Sequence, residues 1–178
     1  MKKKILIVGL GSIGKRHLNN FSKYCKFIDV CDSRSDRLKD VREKFKVRNT
    51  FKDFNEAFKI NKYDAVLICT PPSSHLKIAK IATKNKCALF IEKPLGIHVS
   101  GWKEISNQCK KNKIVNYVAY CHRFIPYTNF FKKLIINKKI IGKIFSGHLR
   151  WASYLPSWHP YEDYRKFYMS SKKLGGGA

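Results

Sequence analysis

The feature that most constrains this chain is the turn Gly9-Leu10-Gly11-Ser12-Ile13-Gly14, set between two stretches of different periodicity. Before it, Lys4-Ile5-Leu6-Ile7-Val8 is short, almost wholly apolar and rich in β-branched residues, the pattern of a strand buried on both faces. After it, Gly14, Leu18, Phe21 and Cys25 recur at helical spacing. A G-x-G-x-x-G is weak evidence alone and becomes informative between a strand and a helix, because there each glycine has a task. Gly9 permits the tight bend, Gly11 lets the backbone approach a pyrophosphate, and Gly14 lets the helix lie close to the strand. The helix N-terminus then turns free N–H groups and a positive dipole end towards the phosphates.

Such a turn calls for an acid at the end of the second strand. Asp32 follows the run Phe27-Ile28-Asp29-Val30-Cys31, eighteen residues after Gly14. A carboxylate there accepts hydrogen bonds from the ribose hydroxyls of adenosine and repels a 2′-phosphate, which favours NAD over NADP. Arg34 is placed to pair with such a phosphate instead. A plainer reading makes Asp32 the cap of the next helix, whose Leu38, Val41 and Phe45 share a face. Glycines and acid in register together favour dinucleotide binding.

The rest of the chain repeats the alternation. Val47 to Phe51 is a weak strand, and Phe54, Ala57 and Phe58 mark a short helix. Asp64 to Cys69 forms a fourth strand, ending in Thr70-Pro71-Pro72-Ser73-Ser74-His75, where paired prolines predict an extended turn ahead of a helix bearing Ile78, Ile81 and Ala82. Cys87 to Ile91 is the fifth strand and terminates in Glu92-Lys93-Pro94; a helix with Trp102, Ile105 and Cys109 and a sixth strand from Ile114 to Tyr120 follow. Strands and helices at this spacing give an α/β fold with a doubly wound parallel sheet, whose ligands bind beyond the carboxyl ends of the strands. Past Arg123 the pattern changes. Tyr127, Phe130, Phe131 and Leu134 suggest a helix, and Phe145, Gly147, Leu149 and Trp151 alternate with polar residues as in a half-exposed strand. An aromatic loop runs from Tyr154 to Tyr161. The expected division is a dinucleotide-binding domain over 1–121 and part of a second, α+β domain over 122–178.

Composition removes some alternatives. The net charge of +25 invites a nucleic-acid reading, but the lysines are scattered over every expected helix. No arginine-rich tract, metal-ligand spacing or aromatic RNA-binding signature accompanies them, so solvated basic faces are the better reading, with neither nucleic acid nor metal as a partner. The six cysteines lie apart without a C-x-x-C pair, several beside apolar strands, as expected of reduced, buried thiols in a cytoplasmic protein. Lys2-Lys3-Lys4 ahead of an apolar run imitates a signal peptide, but glycines break that run and no cleavage site follows. No apolar stretch is long enough to span a bilayer, so no membrane partner is expected.

One combination is more specific than its parts. The glycine turn, Asp32, the T-P-P-x-x-H turn from Thr70 to His75, Glu92-Lys93-Pro94 and Arg123-Phe124 together resemble the Gfo/Idh/MocA family, NAD(P)-dependent oxidoreductases acting mostly on sugars, inositols and nucleotide-linked sugars. The resemblance implies that Gly9, Gly11, Ser12, Ile13 and Gly14 cradle the pyrophosphate and Asp32 holds the adenosine ribose. It implies further that Thr70, Pro71, Pro72 and His75 line the cofactor cleft, that Glu92 sits near the nicotinamide ribose, and that Lys93 is the active-site lysine. An amine beside a cationic nicotinamide, partly desolvated, is a reasonable acceptor for a hydroxyl proton. Arg123, Tyr154 and His159 are the expected substrate contacts, although Cys121 stands where asparagine is common. Residues 154–168 are similar to members from surface-glycan pathways. The family's G-G-G-x motif leads into a helix with an Asp and a His that complete the catalytic group, whereas this sequence ends at Gly175-Gly176-Gly177-Ala178. The resulting expectation is an N-terminal piece of a sugar dehydrogenase, impaired in turnover, that binds NAD, a sugar substrate and either further copies of itself or a complementing C-terminal fragment. The alternative is a non-catalytic nucleotide-binding or partner-binding remnant.

Overall fold

β-Branched runs of four or five residues separated by amphipathic helices can bury both sheet faces only if helices cover each side, and the chain does this. The computed structural model describes residues 3–137, 140–150, 152–158, 163–166 and 168–176. Its strands are β1 (Lys4–Val8), β2 (Phe27–Cys31), β3 (Thr50–Phe51), β4 (Ala65–Ile68), β5 (Ala88–Ile91) and β6 (Asn116–Val118). They form one parallel sheet in the order β3-β2-β1-β4-β5-β6, the expected doubly wound arrangement. The helices between them are α1 (Ser12–Phe21), α2 (Ser35–Lys44), α3 (Phe54–Ile60), α4 (Pro72–Lys84) and α5 (Trp102–Lys111).

Strand alternation sorts the core into two layers. Leu6, Val8, Val66, Ile68, Leu89 and Ile91 pack towards α3, α4 and α5, where Ala57, Ile78, Ala82 and Ile105 meet them. Ile5, Ile7, Ile28, Val30 and Leu67 face Leu18 of α1 and Leu38 and Val41 of α2. Burying each such side chain contributes about 1.5–3 kcal/mol, so the central strands dominate stability.

One buried charge has no local signal in the sequence. Asp29 in β2 is 1% exposed. Arg48 grips its carboxylate with Nε at 3.0 Å and Nη2 at 2.8 Å, while Tyr63 Oη, the Asn49 amides and Asn61 Nδ2 donate at 2.8 to 3.2 Å. Burial pushes this carboxyl upward, but the hydrogen bonds from Arg48, Tyr63 and Asn49 outweigh it and hold it below the ordinary carboxylate range. The network ties β2 to the segments on either side of α3.

The outer elements differ from expectation. The third and sixth strands shrink to Thr50–Phe51 and Asn116–Val118, because only those residues find a ladder partner. Pro72 opens α4 rather than delaying it: Pro71 is the extended residue before the helix, and a proline is tolerated at a first position that needs no N–H. The helix expected around Tyr127 is α6 (Pro126–Lys132), continued by a π turn over Lys133–Asn137. The half-exposed strand expected over 145–151 is not formed over 145–150, and Trp151 lies outside the described residues. Phe145 and Leu149 are 86% and 91% exposed. Alternation alone does not make a strand, and no described segment offers this one a ladder.

Candidate functional site

The carboxyl ends of β1, β2, β4 and β5 lie along one edge of the sheet, and every turn singled out in the sequence leaves from that edge. β1 and β4 are adjacent although β2 and β3 lie on the other side of β1, so the connections reverse direction between them and open a crevice.

The glycine turn fills the first side of this crevice. Gly9 has φ +95°, and a Cβ there would stand 2.6 Å from the Cys69 carbonyl carbon and oxygen. A Cβ on Gly14 would collide with the Gly9 carbonyl, so α1 can start this close to β1 only with glycine. At Gly11 the sole neighbour of an added Cβ would be Arg37 Nη1 at 3.7 Å, which leaves that backbone open to a ligand. Gly11 precedes α1 without a side-chain cap, and the first turn, beginning at Ser12 and Ile13, holds no acidic residue. Its amides are therefore available to an anion.

Asp32 sits beside this turn, 7% exposed. Its Oδ2 accepts the Leu10 N–H at 2.6 Å and its Oδ1 accepts the Arg34 N–H at 2.9 Å, tying the glycine turn to the start of α2. With Arg37 Nη1 also at Oδ2, three of a carboxylate's roughly four acceptor positions are used, and the remaining one suits a ribose hydroxyl. The sequence reading offered Arg34 as the nearby cation. Its guanidinium instead forks onto Asp36, with Nε 3.1 Å from Oδ1. Arg37, five residues after Asp32, places Nη1 3.5 Å from Asp32 Oδ2 and also stands over Gly11. The sequence signal for Arg37 was its place in the first turn of a helix that starts just after the acid.

Across the crevice, Thr70 and Pro71 are half-buried and Pro72 is buried. His75 is completely buried and presents no surface to a ligand. Its Nε2 lies 2.7 Å from the Thr70 carbonyl, and its Nδ1 lies 3.1 Å and 3.3 Å from the Pro94 and Leu95 carbonyls. Carbonyl oxygens only accept and one imidazole N–H serves only one side, so the ring sits between the turns after β4 and β5 and donates to the carbonyls of one of them. The expected cleft-lining histidine is packed between the cleft's walls.

At the end of β5, Glu92 is 7% exposed, while the Lys93 side chain is exposed and not desolvated as expected. Glu92 Oε2 accepts the Lys93 N–H at 3.1 Å, and Oε1 lies 2.7 Å from His17 Nε2. His17 was not singled out in the sequence; its one signal was a position three residues after Gly14, on the helix that leaves the glycine turn. Burial and then the Glu92 charge push the Tyr168 phenol upward, so the 3₁₀ turn Tyr168–Ser170 lies within electrostatic reach of Glu92. A further 3₁₀ turn, Lys172–Leu174, follows, and a Cβ on Gly175 beside it would stand 2.5 Å from Ile97 and 2.9 Å from Pro72.

The expected substrate contacts are not gathered here. Arg123 lies exposed in the 3₁₀ turn Cys121–Phe124, Tyr154 is 74% exposed, and His159 lies outside the described residues. A depression of about 440 Å³ lined by Arg42, Val47, Arg48, Asn49, Thr50, Phe51 and Ile60 opens at the β3 edge and contains none of the residues above. Among the described residues no cluster of His, Cys, Asp and Glu suits a metal ion, and no helix is long and apolar enough to cross a membrane.

Known proteins share this fold. Residues 3–120 match the family model described as "Oxidoreductase family, NAD-binding Rossmann fold". The myo-inositol 2-dehydrogenase of Thermotoga maritima is 31% identical over 148 residues, covering 79% of this chain and 42% of the relative. A crystal structure of scyllo-inositol dehydrogenase from Lactobacillus casei with NAD(H) and scyllo-inositol superposes with a TM-score of 0.70 at 23% identity, over 80% of this chain and 43% of that one. The WlbA dehydrogenase from Bordetella pertussis, in complex with NADH and UDP-GlcNAcA, gives 0.70 at 20% identity, over 76% and 41%. The chain thus spans less than half the length of the relatives it matches.

Proposed function

Because the chain belongs to the Gfo/Idh/MocA family of NAD-binding oxidoreductases, we propose that it supplies the cofactor half of a dehydrogenase acting on a hydroxyl or ketone of a sugar or nucleotide-linked sugar. The observation that carries this reading is the convergence of the open Gly11 backbone, the part-satisfied Asp32 carboxylate and the Glu92–Lys93 turn on one crevice. These residues fit a dinucleotide. The uncapped start of α1 suits its pyrophosphate, and Asp32 suits the adenosine ribose and favours NAD over NADP. Glu92 and Lys93 lie one strand further along, beside Thr70 and Pro71, where the nicotinamide end belongs.

Bound NAD supplies a hydride acceptor. The chain's own task is to orient the alcohol and remove its hydroxyl proton, and Lys93, at the end of β5, is the proposed acceptor of that proton. Arg123, Tyr154 and His159 remain the proposed substrate contacts. Relatives named for myo-inositol, scyllo-inositol and UDP-N-acetylglucosamine support a polyhydroxylated ring as the substrate class. Free, mostly buried cysteines and an NAD-linked reaction suit a reducing cytoplasm.

Saturation-transfer NMR with NAD⁺ tests the placement. Both adenosine and nicotinamide protons should receive magnetisation, and Lys93→Ala should leave the adenosine signals in place. Transfer to adenosine alone would remove Glu92 and Lys93 from the cofactor site and favour a nucleotide-binding protein without dehydrogenase chemistry.

A further inference from the structure

We propose that His17 is a positioning residue for the Glu92–Lys93 turn, coupling the helix that receives the pyrophosphate to the lysine assigned the substrate's proton; the proposal rests on the cofactor reading above. His17 lies in the second turn of α1 and reaches across the sheet edge to Glu92, 75 residues later. The imidazole and carboxylate side chains are only 14% and 10% exposed, so water competes little for their 2.7 Å contact. A carboxylate only accepts, so Nε2 donates to it, and a charged acceptor makes this one of the stronger bonds in the site.

The two Glu92 oxygens have separate tasks. Oε1 meets His17, and Oε2 accepts the Lys93 backbone N–H at 3.1 Å. Turning the carboxylate away from His17 therefore also releases the residue that carries the reactive amine. The ring of His17 is held in its plane by Phe90, edge-on at 5.0 Å and 74°, and Phe90 rests in turn on Tyr117 at 5.7 Å. On the opposite side His75 Nδ1 lies 3.1 Å and 3.3 Å from the carbonyls of Pro94 and Leu95. The turn is thus met from α4 by one histidine and from α1 by the other. The second contact starts from the helix that leaves the glycine turn, so occupancy of the pyrophosphate site and the setting of Lys93 are linked through α1.

Two replacements separate positioning from space-filling. His17→Gln keeps an N–H donor and loses the ring; His17→Phe keeps the ring against Phe90 and loses the donor. NADH affinity is measured by fluorescence for wild type, both variants, Glu92→Gln and the doubly substituted His17→Phe/Glu92→Gln protein, alongside the Lys93 amide resonance in ¹⁵N–¹H spectra without cofactor. His17→Phe should weaken NADH about tenfold, the loss of one charge-assisted bond, and shift the Lys93 amide. His17→Gln should stay within about threefold of wild type, and the double variant should be no weaker than Glu92→Gln. Rescue by Phe rather than Gln, or additive losses in the double variant, would overturn the proposal. If wild type fails to bind NADH, the cofactor reading fails first. The amide then decides the rest: an unmoved Lys93 resonance in His17→Phe overturns the positioning role, and a shifted one keeps it.

Discussion

At the scale of single residues, the acids carry the sharpest consequences. Asp32→Ala should weaken NADH by about tenfold, the cost of removing a charged acceptor from the proposed ribose site, and should affect NADPH less. Arg37 rather than Arg34 stands at Asp32, so Arg37→Ala should lower NADPH affinity while Arg34→Ala leaves it near wild type. The reverse order in equilibrium titrations would return the role to Arg34. Asp29 belongs to stability. Its carboxyl is held below the ordinary range, so its contribution is present above the unfolded value of about 4 and is lost as pH falls through the lower folded value. Asp29→Asn should cost about 2–3 kcal/mol at neutral pH, and the gap to wild type should narrow below about pH 4. Urea unfolding at pH 7 and pH 3 measures this, and an equal gap at both would mean that the charge does not matter.

At the scale of elements, the legible parts were those whose signal is local. Lys4–Val8, the glycine turn and Asp32 are neighbours in sequence, and their patterns predicted the strand, bend and acid that the structure shows. β1, β4 and β5 were equally plain, being buried on both faces and hence largely apolar, and β2 is interrupted only by Asp29. What could not be read were pairings made only by the fold. Nothing near Asp29 announces Arg48 and Tyr63, and nothing near His17 announces Glu92. Of the strand expected over 145–151, residues 145–150 do not form one for the same reason: the alternation is local, but a ladder partner is not. Burial also ranks the thiols. It pushes Cys31 up to about 12 and Cys87 to about 11, and it raises Cys69 and Cys109, whereas Cys121 is exposed. A maleimide or disulfide reagent on folded protein should therefore modify Cys121 first, and labelling Cys31 or Cys69 at a comparable rate, read by peptide mass mapping, would contradict the core as described.

At the scale of the whole molecule, the sheet and its helices form a closed unit, while residues beyond 120 expose much apolar surface. Phe124 is 68% exposed, Phe130 58% and Phe131 56%, alongside Phe145 and Leu149. Water-exposed aromatic surface on this scale favours association, so this chain should self-associate with rising concentration. Phe130→Ser with Phe131→Ser should reduce that, as read by light scattering after size exclusion. A fluorescence titration of NADH into the purified chain of 178 residues tests the dinucleotide site most directly. Saturable binding displaced by NAD⁺, tighter for NADH than NADPH and weakened by Asp32→Ala, is the result expected. No saturable binding by folded protein, or binding indifferent to Asp32→Ala, would contradict it.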